Sequence, residues 1–333
     1  MIEEYTLKSL LEKHNINADK LIYKNNNILA YGEYQDIDAT LNYLINELEI
    51  DRSNIEKCPS ILYRNVGDIK TNVNFIKDKK VRFEDVETCL HVLSTESHQL
   101  TSTYDYVEKN YGIDVINKIT SILCVPKYRI ISIENLNIPL KNKNDVISIS
   151  IGSNSIEEIQ DIINSKEFKE HPELFTSTTL AYAKLKDIQD IINSKEFKEH
   201  PELFTSTVLA HAKLKDIRAL LELPYWEDEK YRRLLTSSIL AKSKSMIKKL
   251  PVLFKMAEDY GIDNYLNVNF LRHSPSQNYA LINYLIDNDI LLVIDYKLNS
   301  IFSYHPGVLK KKYNIDIKQL MKEYPLLVYE SVK

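Results

Sequence analysis

The chain has 333 residues and a formal net charge of −4, and 44% of its residues are hydrophobic, as is usual for a folded protein in water. Its six glycines are few and widely separated, which excludes the glycine-rich loops of dinucleotide- and nucleotide-binding sites and argues against turn-dense β folds. We therefore predict an all-α protein.

Residues 1–138 carry the pattern of short amphipathic helices. Apolar residues recur at i, i+3, i+4 and i+7 between residues 41 and 48 and between residues 66 and 76. An aliphatic residue followed by Asp, Asn or Arg recurs about once per helix pair, at Ile16, Ile50, Val81, Ile113, Ile262 and Ile315. The aspartates at 114, 263 and 316 have the position of a helix N-cap. These marks predict N-terminal helical repeats over 1–138.

Residues 139–155 differ from this pattern. They are polar at both ends, and the residues of the central segment 146–151 alternate as in a strand. We predict a short irregular or β connection here, between N-terminal repeats (1–138) and C-terminal repeats (156–333). Ser155 and Glu158, at its end, have the spacing of a capping box.

A tandem duplication follows this connection. Residues 159–187 and 188–216 are identical except that Val208 replaces Thr179 and His211 replaces Tyr182. A third, diverged copy keeps the segment Leu-Leu-Thr-Ser-Ser-Ile-Leu-Ala at 234–241. Stacked units tolerate such an insertion because each unit needs only its neighbours. The duplication therefore predicts a repeat architecture.

The segment 59–76 begins with Pro-Ser-Ile-Leu and ends with Val-Asn-Phe-Ile. It resembles the Pro-x-Leu-Leu element and following helix of the mTERF family, the mitochondrial transcription termination factor-like proteins. The segments 171–175, 200–204 and 250–254 are similar to elements of the same repeat, and the likeness extends over residues 40–130 and 155–330. The resemblance implies a right-handed α-solenoid of ~30-residue helical repeats that holds DNA or RNA against a basic concave groove.

Basic charge is concentrated in the C-terminal half, where residues 201–250 carry +4, whereas residues 1–50 carry −5. Lys184, Lys213 and Lys244 recur at matching places in three successive units, so stacked repeats would align them about 10 Å apart, a spacing that can follow a phosphate backbone. The candidate nucleic-acid-binding residues are Lys184, Lys213, Arg232, Arg233, Lys244, Lys248, Lys249, Lys310, Lys311 and Lys312. The alternative is a solvated lysine face that provides only solubility.

The two positions that differ between the duplicated copies lie three residues apart, on one helix face. In repeat proteins that recognise one base with each repeat, such positions determine which base is bound. The candidate specificity positions are Thr179, Tyr182, Val208, His211, Ile239 and Lys242. Drift at a tolerant surface is the alternative interpretation.

No catalytic or metal-binding motif accompanies these basic residues. The eight histidines form neither HExxH nor a zinc-finger spacing, and the chain contains no Gly-x-Ser-x-Gly. The three cysteines, Cys58, Cys89 and Cys124, form no CxxC pair and are predicted to be free thiols. Cys58 and Cys89 are one repeat apart, which predicts equivalent core positions. We expect a non-enzyme with no catalytic residues, metal, cofactor or small-molecule substrate.

The N-terminus lacks a secretory signal or transit peptide, and no run of eighteen apolar residues suggests a membrane span. We therefore expect a cytoplasmic protein with no membrane association. The predicted function is non-enzymatic binding of DNA or RNA along a basic stripe in the C-terminal half. The alternative is a protein-binding helical-repeat scaffold or regulator, which would expose Tyr, Phe and Leu on its concave face.

Overall fold

A computed structural model describes residues 4–19, 21, 34–82, 89–136, 138, 142–263, 266–288 and 306–326. Within these ranges the chain is all-α and contains no β-strand. The chain divides into two compact units, residues 1–163 and residues 164–333. None of the described helices combines the length and the apolar character that crossing a membrane requires.

The N-terminal unit contains nine described α-helices joined by short turns. They are α1 (Glu4–Lys13), α2 (Tyr34–Asn42), α3 (Arg52–Lys57), α4 (Val66–Asp78), α5 (Ser97–Tyr111), α6 (Ile113–Lys118), α7 (Lys127–Glu134), α8 (Asn144–Ser150) and α9 (Ile156–Asn164), which ends one residue past the division. A π-helical turn (Tyr43–Glu47) extends α2, and 3-10 helices cover Pro59–Tyr63 and Thr120–Cys124.

Buried polar side chains tie the helices of this unit to the turns that follow them. The donors are Thr40, Asn72 and Thr103, which are 32 and 31 residues apart and no more than 1% exposed. Each donates to a backbone carbonyl: Thr40 to Arg64 (3.3 Å), Asn72 to Leu93 (3.0 Å) and Thr95 (2.7 Å), and Thr103 to Val125 (2.8 Å). These bonds satisfy turn carbonyls that are buried (Leu93 and Val125) or partly buried (Arg64 and Thr95), so they fix each turn against the preceding helix.

The recurring aliphatic marks lie where helices end. At five of them the preceding residue has a positive φ, and the aliphatic residue itself is buried. Its N–H then bonds to a helix carbonyl five or six residues earlier, as in a Schellman cap. These residues are Ile16, Ile50, Val81, Ile262 and Ile315. These aliphatic residues therefore lie at the boundary between one helix and the next.

The predicted N-caps are partly confirmed. Asp316 caps helix α22 (Ile317–Glu323) by accepting from the N–H groups of Lys318 and Gln319. Asp114 is already inside α6, because that helix begins one residue earlier at Ile113. The capping box is confirmed: the Glu158 N–H donates to Ser155 Oγ (3.2 Å), and the Ser155 N–H donates to the Glu158 carboxylate (2.9 Å).

The strand-like segment within the predicted connection 139–155 is a helix, so the expected irregular or β structure there is wrong for residues 144–150, which form α8. Both alternating faces of this short segment find buried contacts, since Val146, Ile147 and Ile149 are all buried against neighbours that include α7. Arg129 of α7 also donates to the carbonyl of Ser150 (2.7 Å). Apolar alternation over so few residues does not distinguish helix from strand, and packing decided it here. Residues 139–141 lie outside the described part of the chain.

The C-terminal unit contains thirteen described α-helices. They are α10 (Lys166–Glu170), α11 (Ser177–Tyr182), α12 (Leu185–Ile192), α13 (Lys195–Glu199), α14 (Ser206–His211), α15 (Leu214–Leu221), α16 (Glu229–Arg232), α17 (Ser237–Leu240), α18 (Ser243–Asp259), α19 (Val268–Arg272), α20 (Pro275–Asp287), α21 (Pro306–Tyr313) and α22. The 3-10 helices are Pro172–Leu174, Pro201–Leu203 and Pro224–Glu227.

The duplicated copies fold alike, each with a 3-10 turn that begins at its proline, a residue well suited to the first turn of a helix. Helix α11 packs against α14, and α14 packs against α17 of the diverged third copy. The core beyond these helices is centred on Phe254, which contacts the rings of Tyr225, Trp226 and Tyr231. Three corresponding helices therefore lie side by side, and residues at the same position in each copy become neighbours.

Candidate nucleic-acid interface

The first of the two diverged positions is part of the core. Thr179 and Val208 are fully buried, and Ile239 is 1% exposed. The Thr179 hydroxyl donates to the carbonyls of Leu174 (2.7 Å) and Ser206 (3.3 Å). The proposal that Thr179, Val208 and Ile239 set specificity is therefore wrong, because side chains packed between helices cannot reach a ligand.

The second diverged position faces water in all three copies. Tyr182 is 38% exposed, and His211 and Lys242 are exposed as well. The rings of Tyr182 and His211 are in contact, with centroids 5.9 Å apart and planes inclined by 36°. We call these three residues the exposed row, since they occupy successive packed units at the ends of α11 and α14 and just after α17.

The three matching lysines lie two residues beyond the exposed row, and all are exposed. Lys184 and Lys213 are the N-cap residues of α12 and α15, whereas Lys244 lies in the first turn of α18. Among the described residues, no acidic side chain forms an ion pair with Lys213 or Lys244. These two ammonium groups are therefore available to an anionic ligand.

Other lysines of the duplication are already paired with carboxylates. Lys166 bonds to Glu170 (3.4 Å) and Lys195 to Glu199 (3.5 Å), both between residues four apart on one helix. Exposed pairs of this kind contribute little stability, but they neutralise charge locally. Lys213 and Lys244 therefore differ from Lys166 and Lys195, whose charges are paired.

The start of α18 adds further basic groups. Lys248 is exposed and has no ion-pair partner among the described residues, while Lys249 is half-buried and donates from Nζ to the carbonyl of Leu271 (2.5 Å). Burial, together with the nearby charge of Lys242, lowers the pKa of Lys249 to about 8. Lys248 thus extends the basic surface. Lys249 instead has a structural role, and its ammonium group loses its proton at a lower pH than an ordinary lysine does.

The two predicted arginines bind the backbone of their own segment. The Arg232 guanidinium donates to the carbonyls of Trp226 (2.9 Å) and Glu227 (3.1 Å). Arg233 donates to the carbonyl of Lys230 (3.0 Å). Both guanidinium groups are exposed, but part of their hydrogen-bonding capacity is used to hold the turn around α16.

The predicted basic cluster at residues 310–312 lies on α21. Lys310 pairs with Asp316 (2.7 Å) and lowers the pKa of that carboxyl, whereas Lys311 is exposed. The side chain of Lys312 lies outside the described part of the structure. Lys213, Lys244 and the exposed row lie on packed units of the repeat, whereas α21 follows these units later in the chain.

A second candidate site, which the sequence pattern does not predict, lies in the N-terminal unit. Cys58 Sγ lies 3.3 Å from His91 Nδ1 and 3.5 Å from Ser60 Oγ, and Cys124 lines a groove together with Ser60 and His91. Cys58 is buried, as expected, but Cys89 is only half-buried. The spacing of Cys58 and Cys89 was the available signal, and it does not reveal the contact of Cys58 with His91.

No protein-family model matches this chain, and neither the curated proteins nor the solved structures contain a match. The resemblance to the mTERF family therefore stays a prediction.

Proposed function

We propose that this protein is a non-enzymatic, nucleic-acid-binding α-solenoid. In this proposal its ~30-residue repeats are of the right-handed type that resembles the mTERF family, and its C-terminal half holds DNA or RNA along a basic stripe on the concave face. The observation that carries the proposal is the exposed row of Tyr182, His211 and Lys242, with Lys213 and Lys244 beside it.

Two features support a stacked repeat. Corresponding helices of three successive copies pack side by side in the C-terminal unit. In the N-terminal unit, the helix-to-turn hydrogen bonds of Thr40, Asn72 and Thr103 recur at a spacing of 32 and 31 residues. A periodic hydrogen bond between one unit and the next is the nearest-neighbour interaction on which repeat proteins depend.

The chemistry of the row favours an unpaired strand. The lysine ammonium groups can contact successive phosphates, which would make binding weaken with salt. The Tyr182 and His211 rings provide flat faces for bases, and aromatic faces between cationic groups are typical of proteins that bind single-stranded nucleic acid. We therefore infer that single-stranded RNA or DNA binds more tightly than duplex.

The scaffold alternative predicts a face rich in exposed aromatic and aliphatic side chains. Among the described residues, the large hydrophobic side chains that are exposed are dispersed along the chain: Tyr128, Tyr182, Ile286 and Tyr313. Exposed hydrophobic residues that are scattered in sequence are ordinary on a protein surface and need no protein partner to explain them. This distribution supports the nucleic-acid proposal over the scaffold.

The test is a fluorescence-anisotropy titration of labelled single-stranded RNA, single-stranded DNA and duplex DNA over a salt series. The variant Lys213→Glu/Lys244→Glu is compared with Lys169→Glu/Lys198→Glu, which makes the same charge change at exposed lysines outside the row. Loss of two phosphate contacts should lower the slope of log K against log salt by about 1.4 for a single strand. The control should keep the slope of the unmodified protein.

The stacking contribution is tested with Tyr182→Ala. This change should weaken single-strand binding about tenfold without changing the salt slope, because the ring carries no charge. An equal loss in both lysine variants would contradict a defined site and indicate a general charge effect. Absence of binding at low salt would overturn the proposal and leave the protein scaffold.

A further inference from the structure

A polar groove lies between successive turns of the N-terminal unit. Its volume is about 500 Å³, within the range of ~300–1,000 Å³ that small-molecule pockets have. The 3-10 helix Pro59–Tyr63, the turn before α5 and the first turn of α5 contribute to its wall. Apart from Cys124, every described side chain of the lining is polar. The groove therefore suits a hydrophilic ligand.

Arg64 places an unpaired guanidinium in this groove. Its side chain is half-buried, yet no described group forms a hydrogen bond or an ion pair with its N–H donors. Arg129, the other half-buried arginine among the described residues, donates to three backbone carbonyls at 2.6–3.1 Å. A guanidinium partly withdrawn from water needs such acceptors. In the groove, a ligand can supply them to Arg64.

The nearby carboxylates leave this guanidinium open. Glu96 lines the same groove, and Asp68 lines a neighbouring groove of about 340 Å³ to which Arg64 also contributes. Neither carboxylate forms an ion pair with Arg64, and Glu96 lies 3.5 Å from Nδ1 of His98 instead. Asp68 is in the first turn of α4 and Glu96 is the N-cap residue of α5, where the positive end of the helix dipole offsets a negative charge. Arg64 is therefore the cationic group available to a ligand.

Several oxygen atoms of the groove are left as hydrogen-bond acceptors. The hydroxyls of Ser94 and Thr95 both donate to the carbonyl of His91 at 2.9 Å, so their protons are already used. Gln99 donates from Nε2 to the carbonyl of Cys124 (2.9 Å), and its amide oxygen remains. A ligand that satisfies this groove brings hydroxyl donors to these oxygens and one anionic group to the guanidinium.

Hydrogen bonds from neighbouring helices hold the wall of the groove in place. Asn72 of α4 donates to the carbonyl of Thr95 (2.7 Å), and Thr40 of α2 donates to the carbonyl of Arg64 (3.3 Å). Both donors are buried. Because the backbone of the lining residues is fixed before a ligand arrives, little ordering entropy opposes binding.

We propose that this groove binds a phosphorylated sugar. The phosphate oxygens accept from the Arg64 guanidinium in bidentate geometry, and the sugar hydroxyls donate to the oxygens of Ser94, Thr95 and Gln99. No described side chain of the lining is Phe, Tyr or Trp, so a nucleobase finds no such ring on which to stack. Inorganic phosphate satisfies only the guanidinium. The groove therefore favours a ligand that combines phosphate with hydroxyl groups.

The test is isothermal titration calorimetry of the full chain with glucose 6-phosphate and ribose 5-phosphate, compared with glucose and inorganic phosphate. At the usual contribution per non-hydrogen atom, a sugar phosphate of this size should bind with a Kd of about 0.3 mM. Glucose lacks the anionic group and inorganic phosphate lacks the hydroxyls, so each should bind at least about tenfold more weakly. Equally tight binding of inorganic phosphate would overturn the proposal and leave a site for simple anions. Absence of binding by both sugar phosphates at about 10 mM would reject the site.

Arg64→Gln and Arg82→Gln are matched variants. Both remove one positive charge from the N-terminal unit, but Arg82 is exposed and does not line the groove. Arg64→Gln should weaken binding by more than about tenfold, because a charge-assisted bidentate contact is lost, whereas Arg82→Gln should keep the affinity of the unmodified protein. An equal loss in both variants would contradict a defined site.

The stability of Arg64→Gln tests the premise that the guanidinium is unpaired. Because no described group bonds to it, the variant should keep the urea midpoint of the unmodified protein. A clear loss of stability would show that Arg64 already has a partner within the protein and would overturn the proposal.

Hydrogen–deuterium exchange locates the bound ligand. Glucose 6-phosphate should increase protection at residues 90–99, and binding without protection there would overturn the proposal. Lys213→Glu/Lys244→Glu should bind glucose 6-phosphate as the unmodified protein does, because these lysines belong to the other unit. Loss of binding in that variant would place the ligand on the basic lysines. The nucleic-acid proposal and the sugar phosphate site can therefore fail independently.

Discussion

Asn72 offers a direct test of the helix-to-turn hydrogen bonds in the N-terminal unit. Its side chain is 1% exposed, and it donates to the carbonyls of Leu93 and Thr95 and accepts from the Ser97 hydroxyl (2.8 Å). Asn72→Leu keeps the volume of the side chain and removes all three bonds. We expect the variant to be less stable because the buried carbonyl of Leu93 and the partly buried carbonyl of Thr95 lose their donor.

The magnitude follows from the number of bonds. Each net hydrogen bond contributes about 1 kcal/mol, and a buried carbonyl left without a donor costs about 1–3 kcal/mol. Burial of the leucine offsets about 1–2 kcal/mol of this loss. We therefore expect Asn72→Leu to lower the free energy of unfolding by about 2–4 kcal/mol. Thr103→Val, which removes one bond, should cost about 1 kcal/mol, and Thr40→Val, whose bond is longer, should cost less.

Urea unfolding followed by far-UV circular dichroism measures these differences, and an unchanged slope of free energy against urea shows that the variants unfold in the same way. Hydrogen–deuterium exchange should show the loss of protection concentrated at residues 89–111, next to the broken bonds. The reasoning is refuted if Asn72→Leu proves no more destabilising than Thr103→Val. That result would mean that the turn carbonyls do not depend on this side chain.

Two further predictions concern the C-terminal unit. Thr179→Val should lower the free energy of unfolding in urea by no more than about 1 kcal/mol and leave nucleic-acid affinity unchanged, because Val208 already fills the equivalent buried position. A clear loss of affinity would contradict the assignment of Thr179 to the core. Lys249 has a pKa of about 8 in the folded protein, below the ordinary value of 10.5. Between pH 8 and pH 10.5 this lysine is therefore protonated in the unfolded chain but largely neutral in the folded one. The free energy of unfolding attributable to Lys249 rises with pH across this window. The stability of the unmodified protein relative to Lys249→Met should therefore increase by up to about 2 kcal/mol from pH 8 to pH 10.5, since solvent screens part of the shift; a constant difference would contradict it.

Much of the local structure was readable from the sequence because it depends on neighbouring residues. Helix starts at Pro172 and Pro201 and the capping box at Ser155 follow from backbone groups that lie within a few residues of one another. The recurring aliphatic marks also had a local cause, since they follow a left-handed residue that ends a helix. The all-α class itself followed from the scarcity of glycine and the helical spacing of apolar residues.

The candidate interface was only partly readable. The duplication identified two diverged positions, three residues apart. Nothing in the sequence indicates which of the two is buried and which is exposed. Packing between neighbouring helices buries Thr179 and leaves Tyr182 exposed, so tertiary contact alone separates core from surface. Likewise, the sequence does not show which group a basic side chain contacts. Only the structure shows that Arg232 binds a backbone carbonyl whereas Lys213 forms no ion pair among the described residues.

The sequence by itself determined the helix boundaries that depend on proline, capping residues and left-handed turns, together with the existence of a repeated unit. Tertiary structure decided that residues 144–150 are helical, because burial against α7 outweighs a weak alternation. It also decided the contact of Cys58 with His91, which lie 33 residues apart. Contacts between side chains so far apart depend on how successive turns stack, and no local pattern encodes that distance.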